Sequence, residues 1–107
     1  MKTSDVQRHV RTVLAQVVEL AQPQRVILFG SAAAGSASSD SDLDFLVIVP
    51  DGRDISEVTD RLNLGVRVRP MPCDFVVVTP TILKKHRHAP GLIYAGILER
   101  GLEIYAD

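Results

Sequence analysis

A short apolar run that ends in a Gly-Ser pair, followed after ten intervening residues by an Asp-x-Asp, is the feature that most constrains this sequence. Residues 26–29 lead into the Gly-Ser pair, and a second apolar run, residues 45–49, directly follows Asp44. Both runs have the length and the aliphatic, β-branched composition typical of strands. The pattern therefore predicts a turn at the end of one strand and two aspartates, Asp42 and Asp44, at the start of the next.

The spacing of these two aspartates favours a metal site. Residues i and i+2 of a strand lie on the same face, so Asp42 and Asp44 are expected to point the same way. Two neighbouring carboxylates repel each other unless a cation lies between them. A hard divalent cation binds carboxylate oxygens and keeps coordination positions for substrate phosphates. The pattern indicates phosphoryl or nucleotidyl transfer.

The Gly-Ser pair has a separate expected role in binding phosphate. Gly30 has no Cβ, so backbone N–H groups can approach phosphate oxygens closely, and the hydroxyl of Ser31 adds another donor. The small residues at 32–41 are expected to form a loop with a helical turn, and they leave steric room for a ligand.

A third aspartate, Asp74, begins another predicted strand, residues 73–78. If the strands that carry Asp44 and Asp74 are neighbours, all three carboxylates meet at one edge of the sheet. Three carboxylates have enough charge to hold two divalent ions about 3.5–4 Å apart. We expect Asp42, Asp44 and Asp74 to be the metal ligands and catalytic residues, and Asp74 to be a candidate acceptor for the proton of the nucleophile.

The remaining pattern predicts an α/β domain with a small sheet, spanning residues 1–107 as one unit. An amphipathic helix is expected at 5–21, with Ser4 and Gln7 as a capping box. The other expected elements are strands at 25–29, 43–49 and 102–105, and helices at 54–64, 80–86 and 90–100.

Composition excludes some functions. The 107 residues are 46% hydrophobic and 23% charged, with a net charge of −1, which argues against a general nucleic-acid binder. The single cysteine, Cys73, allows no internal disulfide and fits a reducing compartment. The polar amino terminus and the lack of a long apolar run predict a cytoplasmic protein without membrane contact.

The residues Gly30, Ser31, Asp42, Asp44 and Asp74 resemble the motif of the nucleotidyltransferase superfamily of the DNA polymerase β type. The whole chain resembles the minimal nucleotidyltransferases of prokaryotes, and within them the MntA-type antitoxins paired with HEPN-domain toxins. The resemblance implies a mixed sheet flanked by helices, and chemistry that uses magnesium and a nucleoside triphosphate. In the antitoxin branch it implies transfer of AMP from ATP to a tyrosine of the toxin, which silences an RNase.

The sequence is also compatible with two rival functions. The protein could neutralise a partner by docking, with little or no turnover, or it could modify an RNA end or a small molecule. The chain is short for a transferase that binds its own acceptor, which favours an acceptor held by, or identical with, a partner protein. The basic run at 84–88 is expected to be a solvated helix face, with phosphate, toxin or RNA contact as the alternative.

Overall fold

The computed structural model describes residues 2–38, 40–86 and 94–107. Helix α1 (Thr3–Ala21) buries the apolar face that its periodicity predicts and ends at Gln22, whose φ of 46° is left-handed. The helix begins before Ser4, with Lys2 at the N-cap position and no side-chain cap. The predicted capping box is therefore wrong, because Ser4 already lies inside the first turn.

Four strands form one sheet in the order β3-β2-β1-β4. They are β1 (Arg25–Phe29), β2 (Leu43–Ile48), β3 (Cys73–Val78) and β4 (Leu102–Ala106). β1 pairs antiparallel with β2 and with β4, whereas β2 and β3 are parallel. The expected α/β architecture with a small mixed sheet flanked by helices is confirmed.

The described residues contain four further helices, which connect the strands: α2 (Ser31–Ala34), α3 (Ile55–Gly65), α4 (Pro80–His86) and α5 (Tyr94–Arg100). α2 is the predicted helical turn after the Gly-Ser pair. Asp54 caps α3 by accepting a hydrogen bond from the backbone N–H of Glu57 at 3.1 Å. The start of the helix expected at 90–100, and residues 87 and 88 of the basic run, lie outside the described residues.

The sheet has an apolar core on each face. Phe45 and Val47 of β2 join the core formed with α1 and α3, while Leu46 and Ile48 join the core that contains Leu83 of α4 and Ile97 of α5. Because side chains alternate along a strand, Asp44 is on the same face as Leu46 and Ile48. The candidate site therefore lies on the α4/α5 face of the sheet.

Two side chains hold the extended segment that runs from α3 into β3. The amide of Gln16 in α1 accepts from the backbone N–H groups of Arg67 and Val68 and donates to the carbonyl of Val68. Arg69 donates to the carbonyls of the last turn of α3, and its guanidinium lies 5.5 Å from the ring centroid of Phe75. These contacts fix the start of β3, and with it the backbone of Asp74.

Within the described part of the chain, no helix is both long and apolar enough to cross a membrane.

Candidate active site

Asp44 is placed by its two neighbouring strands. It pairs with Phe29 of β1 on one side and with Asp74 of β3 on the other. The backbone N–H of Leu43 donates to the carbonyl of Pro72 at 2.8 Å, which extends the pairing of β2 with the start of β3. The condition set by the sequence, that the strands of Asp44 and Asp74 be neighbours, is met.

The carboxyl groups of Asp44 and Asp74 lie within hydrogen-bonding reach of each other. Partial burial raises the pKa of Asp44 above its ordinary value, and the charges of Asp74 and Asp42 and the hydrogen bond to Asp74 raise it further. Two carboxylates this close repel each other, and a bound cation would offset their charge.

Asp42 is exposed and lies two residues before Asp44. It is close enough for its charge to act on the Asp44 carboxyl. In residues 2–38, 40–86 and 94–107, no three His, Cys, Asp or Glu side chains are gathered tightly enough to form a ready metal site. The structure thus brings Asp44 and Asp74 into contact and places Asp42 beside them. The three carboxylates do not converge on one common position.

The donor chemistry of this cluster fits a hard divalent cation. All three side chains offer carboxylate oxygens, the ligands that Mg²⁺ prefers. Burial contributes most to the raised pKa of Asp44, and the negative charges of Asp74 and Asp42, which a bound cation would offset, also contribute to it. Asp42, Asp44 and Asp74 are the residues that would hold the metal.

Gly30 fits against Asp44 so closely that no other residue can replace it without movement. A Cβ built on Gly30 would lie 2.3 Å from Oδ2 of Asp44, and its φ of 77° and ψ of −157° are in a region that only glycine readily occupies. The sequence predicted a glycine for phosphate approach but not this second role. Only the pairing of β1 with β2, which places Asp44 opposite Phe29, brings the two residues together.

Ser31 is the first residue of α2 and is half-buried. Its carbonyl accepts from the backbone N–H groups of Gly35 and Ser36, which closes the short helix. Its side-chain hydroxyl makes no hydrogen bond to another residue within the described ranges, so it can still donate to a ligand.

The thiol of Cys73 adjoins the carboxylate cluster. Its pKa is raised to about 11, chiefly by burial; the Arg69 guanidinium lowers it, and the charges of Asp74, Asp42 and Asp44 raise it. The thiol also donates to the carbonyl of Met71 at 3.3 Å. At neutral pH Cys73 is a protonated, inert side chain.

Clefts lie beside the sheet in the described part of the chain. One, of about 460 Å³, opens beside the Gly-Ser turn and is lined by Phe29, Gly30, Ala34, Gly96, Ile97, Arg100 and Gly101. Another, of about 420 Å³, lies between α1 and β4 and contains none of the five predicted site residues. The first cleft could not be predicted from local sequence patterns, because its two walls are about 65 residues apart in the chain.

Comparison with known proteins agrees with the motif. The model of the nucleotidyltransferase domain family matches residues 10–102, a range that contains all five predicted site residues. The chain belongs to this family. Nucleotidyl transfer is accordingly the reaction class of its domain.

A solved structure shares the fold. The crystal structure of "a putative nucleotidyltransferase from Sulfolobus solfataricus" superimposes with a TM-score of 0.59 and 18% sequence identity. The similarity covers 99% of this chain and 89% of that one. A search of curated proteins gave no match.

Proposed function

We propose that this protein transfers AMP from ATP to a hydroxyl, that the acceptor is a tyrosine of a partner HEPN toxin, and that the protein acts as its antitoxin. Membership of the nucleotidyltransferase domain family supports the reaction class. The contact between the Asp44 and Asp74 carboxyls, with Asp42 beside them, is the observation that carries the proposed site. The resemblance of the sequence to MntA-type antitoxins supports the acceptor and the partner.

In the proposed reaction, the acceptor hydroxyl oxygen forms a bond to the α-phosphorus of ATP. The bond between the α-phosphorus and the oxygen that bridges to the β-phosphate breaks, and pyrophosphate leaves. The hydroxyl proton passes to Asp74 or to water. Gly30 and Ser31 orient the triphosphate through backbone N–H groups and the serine hydroxyl, and positioning supplies much of the rate.

Magnesium belongs to this proposal as a cofactor. Held by Asp42, Asp44 and Asp74, two Mg²⁺ ions would lower the pKa of the acceptor hydroxyl and stabilise charge on the phosphates. Without them, three carboxylates would repel both the triphosphate and the incoming oxygen. The three carboxylates can therefore serve the proposed reaction only with metal ions bound to them.

Intact-mass spectrometry tests the proposal. The purified protein is incubated with the product of the adjacent gene, ATP and Mg²⁺. The intact masses of both proteins are then measured. We expect AMP increments on the partner that disappear with Asp44→Asn and persist with Asp60→Asn, a matched change of an exposed carboxylate on α3.

The other outcomes separate the rival functions. A stable complex without any increment would contradict the transferase proposal and favour neutralisation by docking. Neither complex nor increment would direct the search to RNA ends and small hydroxyl compounds.

A further inference from the structure

The segment that forms the proposed phosphate turn carries no positive charge. From Phe29 to Asp44 the sequence contains three carboxylates, Asp40, Asp42 and Asp44, and no lysine or arginine. A triphosphate brings several further negative charges to this place. Backbone N–H groups and one serine hydroxyl offset little of that charge beyond what bound Mg²⁺ would offset, so a cationic side chain from another part of the chain would strengthen binding.

The cleft beside Gly30 contains such a cationic side chain. Arg100, the last residue of α5, lines this cleft together with Gly30 and Ala34. Phe29, in the same wall, packs with the core that contains Leu46, so the cleft opens on the face of the sheet that carries Asp44. Gly30 thus lines the cleft that contains Arg100 and also packs against the carboxylate of Asp44.

Arg100 is held in place by the end of its helix. Ile97 is buried, and the backbone N–H of Gly101 donates to its carbonyl at 2.7 Å. A Cβ at Gly101 would come within 2.5 Å of both Ile27 Cγ2 and the Ile97 carbonyl oxygen, so the helix end lies directly on β1. The position of Arg100 along the sheet is fixed even though its side chain is exposed.

The guanidinium folds back over Gly96. A Cβ there would lie 2.7 Å from Nη2 of Arg100, which shows that the absence of a side chain at Gly96 makes room for it. Within the described residues Arg100 forms no ion pair and no side-chain hydrogen bond. Its fork of donors is therefore available to an anion in the cleft.

We propose that Arg100 binds the β- and γ-phosphates of the nucleotide, in the cleft between the Gly-Ser turn and the end of α5. This inference rests on the proposed function, because it names a binding residue for the same triphosphate. Its role is to hold the pyrophosphate portion of the nucleotide while the α-phosphate lies at the carboxylates.

Calorimetric titration with Mg²⁺ present tests the assignment. The ligands are α,β-methylene-ATP, which cannot transfer its AMP, then pyrophosphate and AMP. Arg100→Ala should weaken binding of the first two about tenfold, the loss of one charge-assisted hydrogen bond, and leave AMP binding unchanged. Arg67→Ala, which removes an exposed arginine after α3, should leave all three unchanged.

The outcomes separate this inference from the proposed function. If the wild type binds the ATP analogue and Arg100→Ala binds it equally well, the Arg100 assignment is wrong and the proposed function stands. If Arg100→Ala weakens AMP as much as the ATP analogue, the residue contacts the nucleoside or the α-phosphate instead. If the wild type binds neither the ATP analogue nor pyrophosphate, both proposals fail.

Discussion

A Cβ atom at Gly30 would lie 2.3 Å from Oδ2 of Asp44, so the Gly-Ser turn packs tightly against the side chain of a proposed metal ligand. The glycine does more than allow a phosphate to approach. It leaves the space in which the Asp44 carboxylate sits beside Asp74.

Gly30→Ala should therefore disrupt the site as well as strain the turn. The backbone conformation costs a non-glycine residue about 1–3 kcal/mol, and the new methyl must displace the Asp44 carboxylate. We expect a loss of transferase activity of about a hundredfold or more, comparable to removal of a charge-stabilising group. Urea unfolding and initial rates measure the two effects.

Gly35→Ala is the matched control for Gly30→Ala. Gly35 has the same φ of 77°, but a Cβ there would meet nothing within 4 Å. It should lose about 1–2 kcal/mol of unfolding free energy and keep most of its activity. Equal losses of activity in the two variants would show that turn strain, and not the clash with Asp44, is responsible.

Asp44→Asn separates catalysis from stability. The change removes a charge that repels Asp42 and Asp74, so the metal-free variant should be at least as resistant to urea as the wild type. Activity should fall at least about a hundredfold, since a proposed metal ligand is lost. Asp60→Asn should change neither property; a strong stability loss in Asp44→Asn would mean that the carboxylate is a structural hydrogen-bonding partner.

The pH dependence of stability follows from the raised pKa of Asp44. As the pH rises from the ordinary value of 3.8 through the raised value in the folded chain, the folded state loses a proton that the unfolded chain has already lost. The contribution of Asp44 to the free energy of unfolding thus falls across that window and stays lower above it.

Urea unfolding in EDTA, from about pH 3 to about pH 7, measures this contribution as the wild type minus Asp44→Asn. The difference should decrease as the pH rises. Mg²⁺ added near pH 7 should restore wild-type stability more than that of the variant, because binding to the folded state stabilises it. A difference in the free energy of unfolding that is independent of both pH and Mg²⁺ would contradict the proposal that Asp44 belongs to a cluster of mutually repelling carboxylates.

Cys73 should react slowly with thiol reagents. With a pKa of about 11, its thiolate fraction at pH 8 is far below that of a free cysteine, whose pKa is about 8.5. Modification by a disulfide reagent should be at least about tenfold slower in the folded protein than in urea, given the smaller thiolate fraction. Equal rates would mean that the start of β3, and hence Asp74, is more accessible to solvent than it is in the structure.

Local patterns predicted the elements well, because burial on two faces of a sheet imposes a clear sequence rhythm. The bounds of Arg25–Phe29 and Cys73–Val78 were predicted without error, while the second strand ends one residue earlier, at Ile48. The first helix begins two residues earlier than expected. Helix ends depend on a few weak hydrogen bonds, so such differences arise easily.

Non-local relationships could not be predicted in the same way. The sequence placed Asp42, Asp44 and Asp74 at strand starts, but it left open whether those strands are neighbours. That depends on the crossover through α3, which makes β2 and β3 parallel. The approach of Gly30 to Asp44 and the cleft at Arg100 depend on pairing between distant segments, for which the sequence carries no local signal.

The measurement that most directly tests the central proposal follows two labels of ATP into the partner protein. The protein, its partner and Mg²⁺ are incubated with ATP labelled at the α-phosphate or, separately, at the γ-phosphate. Nucleotidyl transfer predicts that the α label alone becomes covalently attached to the partner, and that Asp44→Asn abolishes it. Attachment of the γ label would show phosphoryl transfer, and attachment of neither label would contradict a protein acceptor.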